Sequence, residues 1–313
     1  MSGSFKITKS KKKRISYALH GYLFAVPFIV GLLVFTVYPL ISTFYYSFVD
    51  LEGLDAAQGH FVGLNNYIRI FHTPQFWDAF KNTIIEWGVS GLIQVPLALL
   101  VVAWLTNKDL HIRYQGLLKG IAYVPNIINA AAIAMFFASV FDYPGGILNQ
   151  LLKSLGILEK SYEWSSSITF MRLLISYTDL WRYWGVGMLL FLAAAKGISL
   201  ELYDAASIDG ANDIQKFFHI TLPGIRTVLT FQIVSIFAGG LQLYEAPMLI
   251  GGGVYTRTVA IYIRNLAFTG DMRTSLASAA SFVLFLIILA IDLVVLGLLK
   301  EREPRPRKGM ESV

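Results

Sequence analysis

The chain has 313 residues, of which 55% are hydrophobic and only 15% charged, and its formal net charge is +6. Soluble domains carry roughly 25% charged residues, so this composition belongs to a bilayer. The absence of Cys excludes disulfides and thiolate metal sites, and nucleic-acid binding is excluded because the basic residues concentrate in two terminal runs, each beside an apolar stretch.

Taken in order, residues 1–18 form a basic tail ("KITKSKKKRI"). An apolar run over 19–45 follows, longer than the ~7–15 residues of a signal-peptide core, and is read as a retained membrane span. Leu64, Tyr67, Ile68 and Phe71 then recur at helical spacing up to Pro74, which predicts a short helix lying on the outer membrane face. Runs over 83–105 and 117–141 are each long enough to cross a bilayer at about 20 residues. "PGGILNQLLKSLGIL", within the segment 142–167, predicts a second short amphipathic helix. Further spans are expected over 169–195, 227–250 and 276–299, before a basic tail over 300–313.

Breakers and small residues punctuate these runs. Pro39, Pro96, Pro125 and Pro247 fall inside or near the ends of spans, where neighbouring helices must satisfy the freed backbone groups. "GLLKG" (116–120) and "GVG" (185–187) offer small faces for close helix approach. If the N-terminus is cytoplasmic, 17 Lys and Arg residues fall on the side of both termini and seven on the other. The positive-inside rule then puts both termini, and the segment 199–224, in the cytoplasm.

That segment, "SLELYDAASIDGANDIQKFFHITLPG", is polar and carefully punctuated. Ser199 is a good N-cap, with Glu201 favourably placed in the first turn. Asp209 and Gly210 end the first helix, since Gly takes the left-handed conformation cheaply. Asn212 caps a second helix, with Gln215 in the capping-box position. Ile214, Phe217, Phe218 and Leu222 form an apolar flank before Pro223 and Gly224. A mere connector would need a handful of residues; adjacent Ala205 and Ala206 present a smooth surface for a docking partner, although packing of the hairpin against its own bundle is the alternative.

Ionisable groups at membrane depth are functional candidates. "YTDLWRYWG" places Tyr177, Asp179, Trp181, Arg182, Tyr183 and Trp184 together in the fourth span, and "GGLQLYEAP" places Gln242, Tyr244 and Glu245 near Gly239 and Gly240 in the fifth. Aromatic rings stack on sugar C–H faces, and carboxylate and guanidinium groups hydrogen-bond hydroxyls in pairs. Alternatively, Asp179 and Arg182 form a structural ion pair three residues apart, and the Trp rings are interfacial anchors. Catalysis is poorly supported. The five His are scattered without an H-E-x-x-H motif, so no metal site is expected, "GVSG" at 88–91 is not G-x-S-x-G, and there is no G-x-x-x-x-G-K-[ST] phosphate loop.

The hairpin resembles the EAA–x3–G–x9–I–x–L–P loop of binding-protein-dependent ABC importer permeases. The matching residues are Asp204, Ala205, Ala206, Gly210, Ile220, Leu222 and Pro223. "DGA", "FF" and "ITLP" nearby, with "FVGLNNY", "FWDAFKNT" and "YVPNIIN" in the usual order, are similar to the maltose-type, carbohydrate branch over essentially the whole chain. Two departures stand out: Asp204 replaces the usual Glu, and "GGGVYTRT" (251–258) lacks the usual Pro.

The resemblance implies an all-α, polytopic type I importer permease fold, with six transmembrane helices over 19–299 and an EAA-type coupling loop at 199–224. It implies that Asp204, Ala205, Ala206, Asp209, Gly210, Ile220, Leu222 and Pro223 couple to an ATP-binding-cassette ATPase dimer, which binds ATP and Mg, this chain binding no cofactor. It further implies a second homologous permease subunit, an extracytoplasmic solute-binding protein and a carbohydrate substrate, besides membrane lipid. Asp179, Trp181, Arg182, Tyr183, Gln242, Tyr244 and Glu245 are expected along the substrate path, which small Gly239 and Gly240 would widen. The competing expectations are an ion-coupled secondary transporter, for which no inverted repeat is apparent, an intramembrane enzyme, and a permease for acidic or glycerol-phosphate-type substrates.

Overall fold

The computed structural model describes residues 17–51, 59–107, 113–251 and 253–299. The expected tails, apart from residues 17 and 18, therefore lie outside the described residues, as does Gly252 of "GGGVYTRT".

The first span is helical throughout: α1 (Tyr17–Leu32), a π-helical turn (Leu33–Val37) and α2 (Tyr38–Tyr46), with Pro39 in the first turn of α2. Its most apolar stretch faces outward, with Phe24 85% and Phe35 81% exposed, as suits a helix whose surroundings are hydrocarbon. Strands β1 (Val49–Asp50) and β2 (His60–Phe61) pair antiparallel, Val49 opposite Phe61. Buried Asn66, in the short helix α3 (Asn65–Phe71), donates through Nδ2 to the carbonyls of Ser47 and Val49. That tie explains a polar residue in the middle of "FVGLNNY", because the strand-end carbonyls would otherwise be unsatisfied.

Helix α4 (Pro74–Thr106) begins nine residues before the expected second span. Pro74 occupies its first turn, where a missing N–H is harmless, so Pro74 both closes one pattern and opens the next. Its buried face includes Asn82, Glu86, Ser90, Gln94, Ala98 and Val102, one residue every four. This stripe packs on α8 (Ile168–Lys196), which Ser167 caps by accepting from the Phe170 N–H.

The expected single span over 117–141 is instead two helices. α5 (Gln115–Ile127) and α6 (Ala130–Phe141) meet at 94°. Asn129 caps α6 by accepting from the Ala131 N–H at 2.8 Å, and Pro125 lies just upstream, so the break supplies its own hydrogen bonding. The amphipathic helix α7 (Ile147–Ser154) follows, with Asn149 fully buried and bonded to Tyr162 in both directions.

The hairpin comprises α9 (Leu200–Ile208), α10 (Asp213–Lys216), a π-helical turn (Phe217–Thr221) and α11 (Leu222–Gly224). It turns 75° from α8 and 72° into α12 (Arg226–Leu241). The expected fifth span also breaks early. α12 ends at Leu241, and residues 242–244 are irregular before a π-helical turn (Pro247–Gly251). Helix α13 (Val259–Phe268) and the last span, α14 (Thr274–Leu299), complete the bundle. α14 packs on α2, α3, α12 and α13, through a buried small-residue face that includes Ser275, Ala277, Ala279 and Ala280.

Among the described residues, three helices are long and apolar enough to cross a membrane on their own, and up to six spans result when the bent pairs are joined. Small residues have unequal roles in the packing. At Gly185 an added Cβ would meet the Ala122 carbonyl oxygen, on α5, at 1.9 Å. Gly116 and Gly120, expected to pack closely, face open space within the chain.

Candidate functional site

Two features stand apart from the packing: the hairpin and an intramembrane cavity. Local caps build the hairpin. The Ser199 Oγ accepts from the Glu201 N–H at 3.3 Å. At the other end of α9, the Gly210 N–H donates to the Ser207 carbonyl and the Ala211 N–H to the Ala206 carbonyl. With Gly210 at φ +80°, this is the Schellman arrangement, which satisfies the last carbonyls of a helix. Asn212 and Gln215 exchange side-chain-to-backbone bonds at 2.9 Å, a complete capping box. The Tyr203 hydroxyl and Thr221 Oγ, 2.8 Å apart, tie the two arms together, and Asn107 Nδ2 donates to Asp213 Oδ2 to fasten the hairpin to the end of α4.

The motif residues divide by position. Asp204, Ala205, Asp209 and Gly210 are exposed along α9 and its turn, and Pro223 is exposed in α11. Ala206, Ile220 and Leu222 are half-buried. A recess of about 350 Å³ opens between the arms, against Ala206, Gly210, Gln215, Lys216 and His219. Around it Ile208, Ile214 and Phe218 are 87%, 69% and 57% exposed. Exposed aliphatic and aromatic groups on an otherwise polar hairpin are the mark of a docking surface.

The second feature is a cavity of about 650 Å³ between α4, α8, α12 and the irregular segment after α12. Asp179, Arg182, Tyr183, Gln242, Tyr244 and Glu245 all line it. Asp179 is buried, and its Oδ2 accepts from Ser90 Oγ at 2.5 Å and Gln94 Nε2 at 3.2 Å. Arg182 Nη1 donates to Glu245 Oε2 at 2.9 Å, and its guanidinium lies over the Tyr183 ring at 5.0 Å. The alternative of a direct Asp179–Arg182 ion pair gives way to two separate partnerships, because each side chain finds a better-placed group on a neighbouring element. Gln242 lines the wall while donating through Nε2 back to the Ala238 carbonyl.

Trp181 is a correction. It turns away from the cavity, its ring 5.9 Å from that of Phe137 in a cluster with Ile133 and Leu174. The smallness of Gly240 is also used differently from the expectation. A Cβ there would meet Trp87 Cδ1 at 1.7 Å, so Gly240 seats the Trp87 indole instead of widening the path, whereas Gly239 does face open space. Gly240→Val should therefore displace the indole and destabilise the chain by about 1–3 kcal/mol. The double variant with Trp87→Ala should regain much of that loss in thermal unfolding; equal melting of the single and double variants would contradict the packing.

Sequence reasoning missed the α4 side of this site: Trp87 and Gln94 line the cavity with Gln232 from α12, and Ser90 reaches it through its bond to Asp179. The available signal was the spacing of Asn82, Glu86, Ser90 and Gln94, polar residues four apart within a span. Glu86 is fully buried, and neither carboxylate oxygen has a hydrogen-bond partner among the described residues. Ser176 Oγ donates to its backbone carbonyl, while nearby on α8 Arg172 Nη2 donates to Asn82 Oδ1. No group of three or more His, Asp and Glu suited to a metal ion occurs among the described residues.

Spanning helices, a polar cavity at their broken ends and a capped, partner-ready hairpin define a multi-pass membrane transport component. Residues 94–308 match the family described as "Binding-protein-dependent transport system inner membrane component", and the chain belongs to that family. It is a transport subunit and not an enzyme. Among its relatives, the lactose transport system permease protein LacF of Rhizobium radiobacter is 30% identical over 301 residues, covering 95% of this chain and 99% of that protein. The arabinooligosaccharides transport system permease protein AraP of Bacillus subtilis (strain 168) is 29% identical over 284 residues, covering 88% and 87%. The fold is that of ABC importer permeases. A bacterial alginate ABC transporter, solved with an alginate pentasaccharide-bound periplasmic protein, superposes with a TM-score of 0.74 at 22% identity, over 91% of this chain and 96% of that one.

Proposed function

We propose that this chain is the permease subunit of an importer that moves a sugar or oligosaccharide, received from an extracytoplasmic binding protein and driven by ATP hydrolysis in partner subunits. The observation that carries this reading is mechanical. The hairpin joins α8 directly to α12, and those two helices supply much of the cavity wall. A rigid displacement of the hairpin is therefore transmitted to both walls at once. Asp204, Ala205, Ala206, Asp209, Gly210, Ile220, Leu222 and Pro223 form the coupling surface in this reading. ATP and Mg would be held by the docked ATPase dimer.

The substrate path takes Asp179, Arg182, Tyr183, Gln242, Tyr244 and Glu245, a set of donors, acceptors and rings suited to hydroxyls and sugar faces. The lactose and arabinooligosaccharide systems of the relatives support a carbohydrate. A second, similar permease would close the other half of the path, and the distribution of Lys and Arg supports a cytoplasmic position for both termini and the hairpin.

The test is functional. The purified chain should show no ATP hydrolysis of its own. Vesicles holding the complete assembly with its binding protein should accumulate saccharide only when supplied with ATP, whether or not an ionophore is present. Uptake by the chain alone, indifferent to ATP and collapsed by an ionophore, would instead identify an ion-coupled carrier.

A further inference from the structure

We infer that the cavity selects neutral saccharides and rejects acidic ones, and that Glu245 is the residue that sets this discrimination. The inference rests on the reading of the cavity as a saccharide path. Among the described lining residues the cavity offers one cation, Arg182, and two carboxylates, Asp179 and Glu245. It contains neither Lys nor His. An acidic sugar needs a cation with open donors and no competing anion, ideally a guanidinium free for a paired contact with its carboxylate. Arg182 does not meet that need, because its charge is already paired with the Glu245 carboxylate at 2.9 Å.

The fold adds to the effect. The 16-residue helix α12 ends at Leu241, between the lining residues Gly240 and Gln242. The carboxyl end of a helix carries a partial negative charge that favours cations and repels anions within its last turn. A ligand carboxylate would therefore face the Glu245 carboxylate and this helix end together.

A neutral diol finds the opposite situation. Arg182 has N–H donors beyond the one given to Glu245, and a neutral hydroxyl can accept from them without bringing a charge. The Glu245 side chain is 54% exposed and keeps acceptor lone pairs beyond the one bonded to Arg182. Two neighbouring hydroxyls, one accepting from Arg182 and one donating to Glu245, would extend the ion pair instead of breaking it. The Tyr183 and Tyr244 rings supply apolar faces for the sugar C–H groups.

The experiment uses the complete assembly in lipid nanodiscs, without the binding protein, so that the permease site alone is read. A neutral oligosaccharide that the vesicle assay shows to be imported is used as the probe. Its uronic acid counterpart, oxidised at one primary hydroxyl, competes with it for binding. The wild-type assembly should prefer the neutral compound by about tenfold or more, equivalent to roughly 1.4 kcal/mol. Glu245→Gln should weaken neutral binding and bring the ratio to within about threefold of unity, as Arg182 is released to the uronate. Equal or tighter binding of the uronate by wild type would overturn the inference while leaving the saccharide reading standing, and needs no variant to fold. An unchanged ratio in a well-folded Glu245→Gln assembly would remove Glu245 from the role. If the vesicle assay finds no import of any saccharide, the functional reading itself fails, and this inference with it.

Discussion

Gly210→Val and Ala205→Trp should each stop ATP-driven saccharide uptake while leaving the chain folded in the membrane. The two substitutions act by different means on one surface. Gly210 holds φ +80° at the turn between α9 and α10, a conformation costing an L-residue roughly 1–2 kcal/mol and worse for a β-branched one. Valine there dislodges the Schellman turn and tilts the exposed face of α9. Ala205 lies on that face, and its replacement by Trp holds any close-fitting partner away. A loss of about 3 kcal/mol, ordinary for a central contact residue, lowers the docked fraction about a hundredfold. Co-purification of the ATPase subunit, with membrane abundance measured in parallel, separates lost docking from lost folding. Normal uptake in both variants would refute the coupling role of the hairpin.

Gly185→Ala should be the most damaging single methyl in the bundle, and Gly187→Ala, two residues away, nearly silent. At position 185 the new Cβ would lie 1.9 Å from the Ala122 carbonyl oxygen and 2.5 Å from its carbon. Both atoms are backbone, so no rotamer change relieves the contact and α5 must move off α8 by about 1–1.5 Å to restore ordinary carbon–oxygen contact. Overpacking of this kind costs typically 1–3 kcal/mol and occasionally more. At position 187 the nearest atom is Gln232 Nε2 at 3.4 Å, followed by Ala98 Cβ at 3.7 Å. A change within about 0.5 kcal/mol is expected there. Thermal unfolding of the two variants in detergent decides the matter; matching melting temperatures would mean that α5 is not seated on α8 as described.

These examples show where the sequence was legible. The hairpin could be read residue by residue because its determinants are local: Ser199, Gly210, Asn212 and Gln215 act within four positions of themselves. Apolar stretches were legible because hydrophobic length is a strong constraint. Their continuity as helices was not. The break at Ile128–Asn129 turns on the single Asn129 cap inside an otherwise apolar run, and at Gln242–Tyr244 the Leu243 carbonyl is met by the Thr258 hydroxyl from 15 positions away.

Partnership within the site was the least legible. Asp179 meets Ser90 and Gln94 from 89 and 85 positions away, and Arg182 meets Glu245 from 63. A helical spacing of three suggested a local pair, and the long-range contacts replaced it. Likewise "GLLKG" and "GVG" are equivalent as strings. Only the position of Ala122 on α5 makes Gly185 indispensable while Gly116 faces open space.

The internal bracing of the hairpin has a thermodynamic consequence. With the capping box closed and Tyr203 hydrogen-bonded to Thr221, little of this segment remains to be ordered when a partner arrives. Association with the ATPase proposed to dock here should then resemble rigid-body docking, with a heat-capacity change set by the contact area alone and none of the excess that accompanies coupled folding. Titration calorimetry at several temperatures measures that slope directly, and a Thr221→Val chain, with one arm unfastened, should give a steeper one.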